Sequence, residues 1–336
     1  PYPIFGTSSI SSNPVNSVNP VSPIFLAGPT AVGKSEITLQ LAEQLGGEII
    51  SADSMQVYRG LDIGTAKPSP AERERVPHHL IDICELTESF DAAQFIRLAQ
   101  KAVEEIQSRN KSPIFCGGTG LYFKAFLSGL GEAPATNPEL RAELEAASFE
   151  SLLSELRERD PAAYEKIDKQ NPRRVIRAIE VIRLTGKKFS EQRAEWKSGG
   201  TACRRPENQG QRHAVPPKND FYCFTRSPAD LHTRINARVD AMFSRGLVDE
   251  TRGLLTRGLE QNKTAMQAIG YRQVVEHLRG ERALAETIEL VKSRTRQFAK
   301  RQLTWFRRQL DPEWIELKPD ESLEKYASKI CEAIYK

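Results

Sequence analysis

Residues 28–35, Gly-Pro-Thr-Ala-Val-Gly-Lys-Ser, constrain this chain more than any other stretch. They follow the short apolar run 23–27 and open an amphipathic segment, 36–45, that stops at Gly46-Gly47. An apolar strand, a glycine loop and a helix in that order, with the spacing Gly, four residues, Gly-Lys-Ser, make up the phosphate-binding P-loop. Each position has a mechanical job. Gly28 and Gly33 let the backbone N–H groups around Pro29, Thr30, Ala31 and Val32 turn inward, Lys34 reaches across the phosphates, and Ser35 offers a hydroxyl to Mg²⁺. The helix that begins there aims the positive end of its dipole at the anion. A turn that binds nothing needs neither the lysine nor the strand-to-helix setting. The motif predicts an α/β fold, a P-loop NTPase-like parallel sheet flanked by helices, and leaves the phosphate compound open.

The rest of the composition narrows the class of protein. A chain of 336 residues, 27% charged and 39% hydrophobic, has the makeup of an ordinary globular protein with room for two domains. Net charge is only +4, from 48 basic and 44 acidic residues, but the basic residues are concentrated. Residues 291–310 carry Lys292, Arg294, Arg296, Lys300, Arg301, Arg307 and Arg308 with no acidic side chain, and 168–193 is a second basic stretch. Two such stretches suggest a polyanionic partner, although solvated helix faces would look the same. Trp305 and Phe306 read equally as core anchors or as base-stacking groups. The five cysteines are scattered, odd in number and without a Cys-x-x-Cys pair, which argues for a reducing, cytoplasmic setting and against a zinc site. No apolar run approaches the roughly 18 residues a membrane span needs. Residues 1–22, rich in Ser, Pro and Asn and free of charge, read as a disordered tail rather than a signal peptide.

Taken in order, 48–52 reads as a second strand ending at Asp53-Ser54-Met55-Gln56. In open parallel sheets ligands lie beyond the carboxyl ends of the strands, so Asp53 is expected beside the P-loop. Spacing alone allows it to hold Mg²⁺ through water or to act as a general base. Residues 57–77 read as loop, and 78–83 as a short strand with His78 and His79 at its mouth; with no third ligand near, a hydrogen-bonding role is favoured over a metal. A helix is expected over 90–107, from the spacing of Phe95, Leu98, Ala99, Ala102, Val103 and Ile106. A buried strand at 113–116 leads into Gly117-Gly118-Thr119-Gly120, a second glycine turn that presents Thr119 to the crevice. Residues 138–196 are helical in pattern, with a helix start at Asn171-Pro172 followed by Arg173, Arg174, Val175, Ile176 and Arg177. Residues 197–220 read as a mobile loop, and 221–224 return to strand character. On the helix 231–243, Arg234 and Arg238 lie one turn apart, either as a phosphate clamp or paired with Asp240 and Glu250. The remaining chain reads as helical throughout. The expected division is a tail (1–22), a first core part (23–136), a helical insertion (137–197), a loop (198–220), and a returning strand with C-terminal helices (221–336).

Together these segments resemble the tRNA dimethylallyltransferase family, also called tRNA isopentenyltransferases. The similarity is carried by 28–35, 53–58 with 62–68, 117–122, 171–180, 231–243, Ala268-Ile269-Gly270-Tyr271, and 296–308. The P-loop alone fits many enzymes; the ordered set is specific. The resemblance implies transfer of a dimethylallyl group from dimethylallyl diphosphate to N6 of adenine 37 in tRNA, with Mg²⁺ as cofactor and the insertion gripping the anticodon stem-loop. It implies Asp53, Thr119 and Arg234 as catalytic residues, residues Gly28 to Ser35 as the diphosphate site, and a tRNA contact set of Asp53, Ser54, Met55, Gln56, Thr119, Arg141, Arg173, Arg174, Val175, Ile176 and Arg177. A monomer is expected. The 197–220 connector is longer than is usual in the family, and the zinc finger that some eukaryotic members append is absent, which points to the bacterial form. An ATP-dependent small-molecule kinase would explain the P-loop equally well but not the basic insertion or the basic C-terminal helix. A non-catalytic RNA-binding NTPase would explain the basic stretches but not Asp53 facing the loop.

Overall fold

Successive side chains of a strand point to opposite faces, so the uninterrupted apolar runs at 24–27 and 221–224 dictate a sheet covered on both faces. The computed structural model describes residues 22–130, 134, 136–192 and 220–335, so the 1–22 tail and the 197–220 loop lie almost wholly outside the described residues. The first part of the chain runs β1 (Ile24–Ala27), α1 (Lys34–Leu45), β2 (Glu48–Ala52), α2 (Pro70–Arg75), β3 (His78–His79), α3 (Ala92–Ser108), β4 (Pro113–Gly117) and α4 (Gly120–Ser128). Five helices follow: α5 (Pro138–Ala146), α6 (Phe149–Arg159), α7 (Pro161–Lys166), α8 (Pro172–Thr185) and α9 (Phe189–Gln192). The chain then returns through β5 (Phe221–Thr225), α10 (Pro228–Ser244), α11 (Leu247–Leu255), α12 (Tyr271–Leu278), α13 (Leu284–Gln309), β6 (Glu313–Glu316) and α14 (Leu323–Ile334).

The six strands form one parallel sheet in the order β3-β2-β4-β1-β5-β6. Within β1, Ile24 and Leu26 face a core shared with α1, α10, α13 and α14, whereas Phe25 and Ala27 face a second core with α3, α4, α11 and α12. Tyr222 and Phe224 of β5 join the first core, and Phe221 and Cys223 the second. Phe25 stacks on Phe115 at 4.8 Å, Phe123 stacks on Phe221 at 5.6 Å, and Phe306 of α13 meets Phe123 edge-on at 6.1 Å. Each of these buried rings is worth about 1.5–3 kcal/mol, so α13 is anchored to the sheet by its own aromatic residue. Phe306 is therefore a core anchor. Trp305 beside it lies over the start of α4, where a Cβ on Gly120 would come within 2.1 Å of the indole.

Three sequence expectations are corrected. The 57–77 stretch contains α2, started by a Ser69 cap and a Glu72 side chain that returns to the Ser69 N–H, a local capping box a period search does not see. The strand expected at 78–83 is only two residues long, because Leu80 and Asp82 take left-handed backbone angles that end the ladder. The region after 291 is not helical throughout: Pro312 follows the end of α13, and Glu313–Glu316 pairs with β5 as an edge strand. That strand is mostly exposed and so has no buried apolar run to announce it.

Helices α5 to α9 close over a separate core of Leu144, Leu152, Leu156, Ile167, Val175, Ile179 and Ile182. Two fully buried carboxylates organise it. Asp160 accepts the Ala163 N–H at 3.0 Å and both the N–H and the hydroxyl of Ser190. Glu180 takes Arg177 at 2.7 Å, Arg141 at 3.0 Å and the Asn137 N–H.

At the β3 edge of the sheet a third buried carboxylate, Glu48, meets Arg109, Lys111 and His79 at 2.7 to 3.2 Å. Burial pushes its pKa up, but the hydrogen bonds from Arg109, His79 and Lys111 outweigh that and hold it at about 2. A carboxylate held below its ordinary value stabilises the fold fully above about pH 4.5, and the contribution disappears as pH falls toward 2. Because Arg109 and Lys111 are half-exposed and screened, we set the contribution at about 2 kcal/mol. Glu48→Gln is therefore expected to lose about that much stability at pH 7 and much less at pH 3, read from urea melts at both pH values; equal losses would contradict this account.

Candidate active site

Parallel pairing sets three strand ends level with one another. Gly117, the last residue of β4, sits between Ala52 of β2 and Ala27 of β1 in register. Asp53, the Gly118–Thr119 turn and the P-loop therefore emerge side by side at the carboxyl edge of the sheet. They border a crevice of about 280 Å³ lined by Lys34, Ser35, Asp53, Gln56, Gly117, Gly118, Arg238, Phe298 and Gln302 among others.

The P-loop is held from outside as well as by its own glycines. Ala31 carries a left-handed backbone angle, φ 64°, unusual for a residue with a side chain. Its carbonyl accepts Arg234 Nε at 2.9 Å, and the next carbonyl, Val32, accepts Arg226 Nε at 2.7 Å. Arg226 is 3% exposed and is neutralised by Asp230 at 2.7 Å. Fixing these carbonyls outward leaves neighbouring N–H groups free to face an anion. Two are already taken: the Thr30 N–H by Gln302 Oε1 at 3.0 Å and the Val32 N–H by the Pro29 carbonyl at 3.4 Å.

Three lysine and arginine side chains line the crevice: Lys67 is committed to Asp62 and Asp82, and Lys34 and Arg238 are the two left for an anion. Burial pushes the Lys34 ammonium below its ordinary pKa, Arg238 acts in the same direction, and the Asp53 carboxylate opposes the shift. Arg238 is likewise lowered by burial, with Asp53 opposing. Desolvated cations of this kind bind an anion more strongly than solvated ones. Lys34 donates to the Pro29 carbonyl at 3.3 Å, a long bond that a phosphate oxygen can replace. Cys116 beside it is pushed up by burial and stays a neutral thiol.

The site residues expected from the sequence divide into two groups, those that face the crevice and those that hold the structure around it. Asp53 Oδ1 accepts the N–H groups of Met55 (2.8 Å) and Gln56 (3.3 Å), which fixes the carboxylate through one oxygen. Thr119 Oγ1 accepts the Ser54 N–H at 3.1 Å, and its own N–H bonds to Ala52 O, so the hydroxyl stitches two strand ends together. Gln56 is a latch between Ser51 and the carbonyls of Thr65 and Ala66, and Met55 packs on the core. Arg234 supports the loop, while Arg238 one turn later lines the crevice. The two arginines do not pair with Asp240 and Glu250, which instead hold Lys292 and Tyr271. Arg141 and Arg177 are bound to Glu180, Val175 and Ile176 are in the insertion core, and only Arg173 and Arg174 of that set are exposed. His78 and His79 bond the Val76 carbonyl and Glu48.

Sequence reasoning under-weighted Arg238 and missed Gln302, Arg226 and Phe298. A signal for Gln302 was present: it is a polar residue on the buried stripe Val291, Thr295, Ala299, Gln302, Phe306. Nothing local marked Arg226, whose role depends on a loop far away in sequence.

A family model described as IPP transferase matches residues 56–309. The chain belongs to that family. The matched region begins just after Asp53, and the likeness to whole relatives is wider. The chain is 44% identical over 297 residues to tRNA dimethylallyltransferase 1 of Trichlorobacter lovleyi, covering 87% of this chain and 92% of the relative. Among solved structures it is similar to the full-length tRNA isopentenylpyrophosphate transferase of Bacillus halodurans, at 38% identity and TM-score 0.63, covering 93% and 96% of the two chains. It is also similar to a eukaryotic dimethylallyltransferase acting on tRNA, at 29% identity and TM-score 0.72, covering 92% of this chain and 77% of that one.

The crevice assigns different work to the two arginines of α10. Arg238→Gln removes a charge that faces the crevice and is expected to weaken inorganic pyrophosphate binding by about tenfold or more, whereas Arg234→Gln acts through the Ala31 carbonyl and costs less. Calorimetric titration of both variants checks the order; a larger loss in Arg234→Gln would reverse the assignment.

Proposed function

We propose that this IPP transferase moves a dimethylallyl group from dimethylallyl diphosphate to N6 of adenine 37 in tRNA, giving N6-dimethylallyladenosine and diphosphate. The observation that carries the reading is the joint placement of Lys34, Arg238 and Asp53 on one crevice, two desolvated cations against one oriented carboxylate. The cations suit a departing diphosphate and the carboxylate suits an amine that must lose a proton.

The reaction balances as follows. The N6 lone pair forms a bond to the allylic carbon, the carbon–oxygen bond breaks with its electron pair going to diphosphate, and the N6 proton goes to Asp53. An exocyclic adenine amine is a weak nucleophile, so the leaving group must be very good. Lys34, Arg238 and the P-loop N–H groups stabilise the charge that develops on it. Thr119, fixed between the ends of β2 and β4, holds the Asp53–Ser54 corner at the place where the amine arrives. The crevice supplies hard oxygen donors, the Ser35 hydroxyl and the Asp53 carboxylate, and among the described residues no cluster of three His, Cys, Asp or Glu side chains could cage a metal. That donor set fits Mg²⁺ carried largely by diphosphate oxygens. When bound, Mg²⁺ adds to the charge stabilisation of the leaving group.

The RNA is read by the exposed Arg173 and Arg174 at the start of α8 and by the exposed Lys300, Arg301, Arg307 and Arg308 of α13. The target base leaves its stacked loop to reach Asp53, at a cost of a few kcal/mol. In this reading the enzyme works as a monomer in the cytoplasm, where the thiols of Cys84, Cys116, Cys223 and Cys331 remain free. Among the described residues no helix is long and apolar enough to cross a membrane.

Radiolabelled dimethylallyl diphosphate incubated with an anticodon stem-loop RNA should place label on the adenine in the presence of enzyme and Mg²⁺. Label that stays on the donor, or phosphate transfer from ATP to a small molecule, would overturn the proposal. Lys34→Ala should lower turnover by orders of magnitude while leaving the fold intact. Asp53→Asn should lower kcat by about 10² to 10⁴ with smaller changes in either substrate's affinity; restoration of activity by excess Mg²⁺ would instead make Asp53 a metal-holding group. For the RNA, Arg173→Ala with Arg174→Ala should flatten the salt dependence of binding by about two phosphate contacts. Arg177→Ala, which takes one of its two arginines from the buried Glu180, should show mainly as lost thermal stability.

A further inference from the structure

The buried stripe of α13 contains a glutamine where an apolar residue would pack without cost. Gln302 is 8% exposed, and both ends of its amide are used. Oε1 accepts the Thr30 N–H of the P-loop at 3.0 Å, and Nε2 donates to the Gly118 carbonyl at 2.8 Å. The contact is close: a Cβ on Gly118 would lie 2.3 Å from Nε2, so the end of the Gln302 side chain would have to move. One side chain thus joins the loop that holds the diphosphate to the turn that carries Thr119, across 272 residues of chain in one direction and 184 in the other.

We propose that Gln302 is a positioning residue that sets the separation between donor and acceptor, fixing the P-loop and the Gly118–Thr119 turn at one distance. The inference rests on the prenyl-transfer reading above. The two loops hold the two halves of the reaction: the leaving group is bound by the P-loop, and the amine is met at the Asp53–Ser54 corner that Thr119 secures. Transfer requires the reacting atoms at about 3–3.5 Å, and a misplacement near 1 Å costs on the order of a hundredfold in rate. The other polar bonds of the two loops lead elsewhere. Thr119 bonds toward β2, the carbonyls of Ala31 and Val32 bond to Arg234 and Arg226, and the Pro29 carbonyl takes Lys34 within the loop. The β1–β4 ladder brings the two loops together as far as Ala27 and Gly117, and Gln302 bridges them beyond it. Phe298, one turn earlier on α13, lines the same crevice, so the helix that spaces the loops also forms part of the wall.

The test compares Gln302→Met, which keeps length and volume but no hydrogen bonds, with Gly118→Ala, which pushes Nε2 away from the other side, and with the double variant. At saturating dimethylallyl diphosphate and stem-loop RNA, each single variant should slow single-turnover transfer about a hundredfold, with KM for RNA changed less than about threefold. The double variant should be no slower than the worse single one, because both changes remove the same contact. Losses that multiply, a loss confined to KM, or a rate that merely follows thermal stability would overturn the proposal. If the wild-type protein transfers no prenyl group, the functional reading fails on its own. The strut is then judged by inorganic pyrophosphate alone: Gln302→Met should weaken its affinity about tenfold by loosening the Thr30 amide, and unchanged affinity would sink the proposal.

Discussion

Everything at the site depends on register in the middle of the sheet. Because Ala52, Gly117 and Ala27 lie level across three adjacent parallel strands, the segments that follow them are forced to share one edge. The closeness is extreme at Gly117, where an added Cβ would fall 2.1 Å from the Ala52 carbonyl oxygen. A side chain there would separate β2 from β4 and move Asp53 away from the P-loop. The chemistry of the crevice is therefore a property of backbone spacing first and of side-chain identity second.

Local order was legible where a pattern repeats within a few residues. The P-loop, the strands at 24, 48, 113 and 221, and the buried stripe of α3 all carry periodicity or glycine spacing that survives without tertiary information. Asp53 was legible for the same reason, since strand ends in parallel sheets point at the ligand. What failed was different in kind. The edge strand β6 buries little, so it leaves no apolar signature. The choice between Arg234 and Arg238 turns on which side of one helix faces the crevice, and both fit the same helical spacing. Gln302 and Arg226 act on partners hundreds of residues away, which no local pattern encodes.

The insertion shows how charge in a sequence can mislead. Its arginines suggest a uniform basic surface, yet Arg141 and Arg177 are committed to the fully buried Glu180, and Arg183 to Glu143 and Glu155. A buried carboxylate requires compensating cations and hydrogen bonds, so these arginines are structural partners first. Exposed cations remain at Arg173 and Arg174 at the start of α8, and also at Arg157, Arg159, Lys166, Lys187 and Lys188 of the insertion.

The outward carbonyls of Ala31 and Val32 have a further meaning for how this loop can be reused. Their donors, Arg234 and Arg226, and the acceptor for the Thr30 N–H all come from the far side of the 137–219 region in sequence. The eight-residue motif is recognisable in isolation but is not portable. Grafted onto another strand and helix it would keep its glycines and lysine while losing the groups that hold Ala31 in a left-handed conformation. A working transplant would have to carry α10 and α13 with it, which makes the unit of inheritance here the closed polar circuit around the loop rather than the loop.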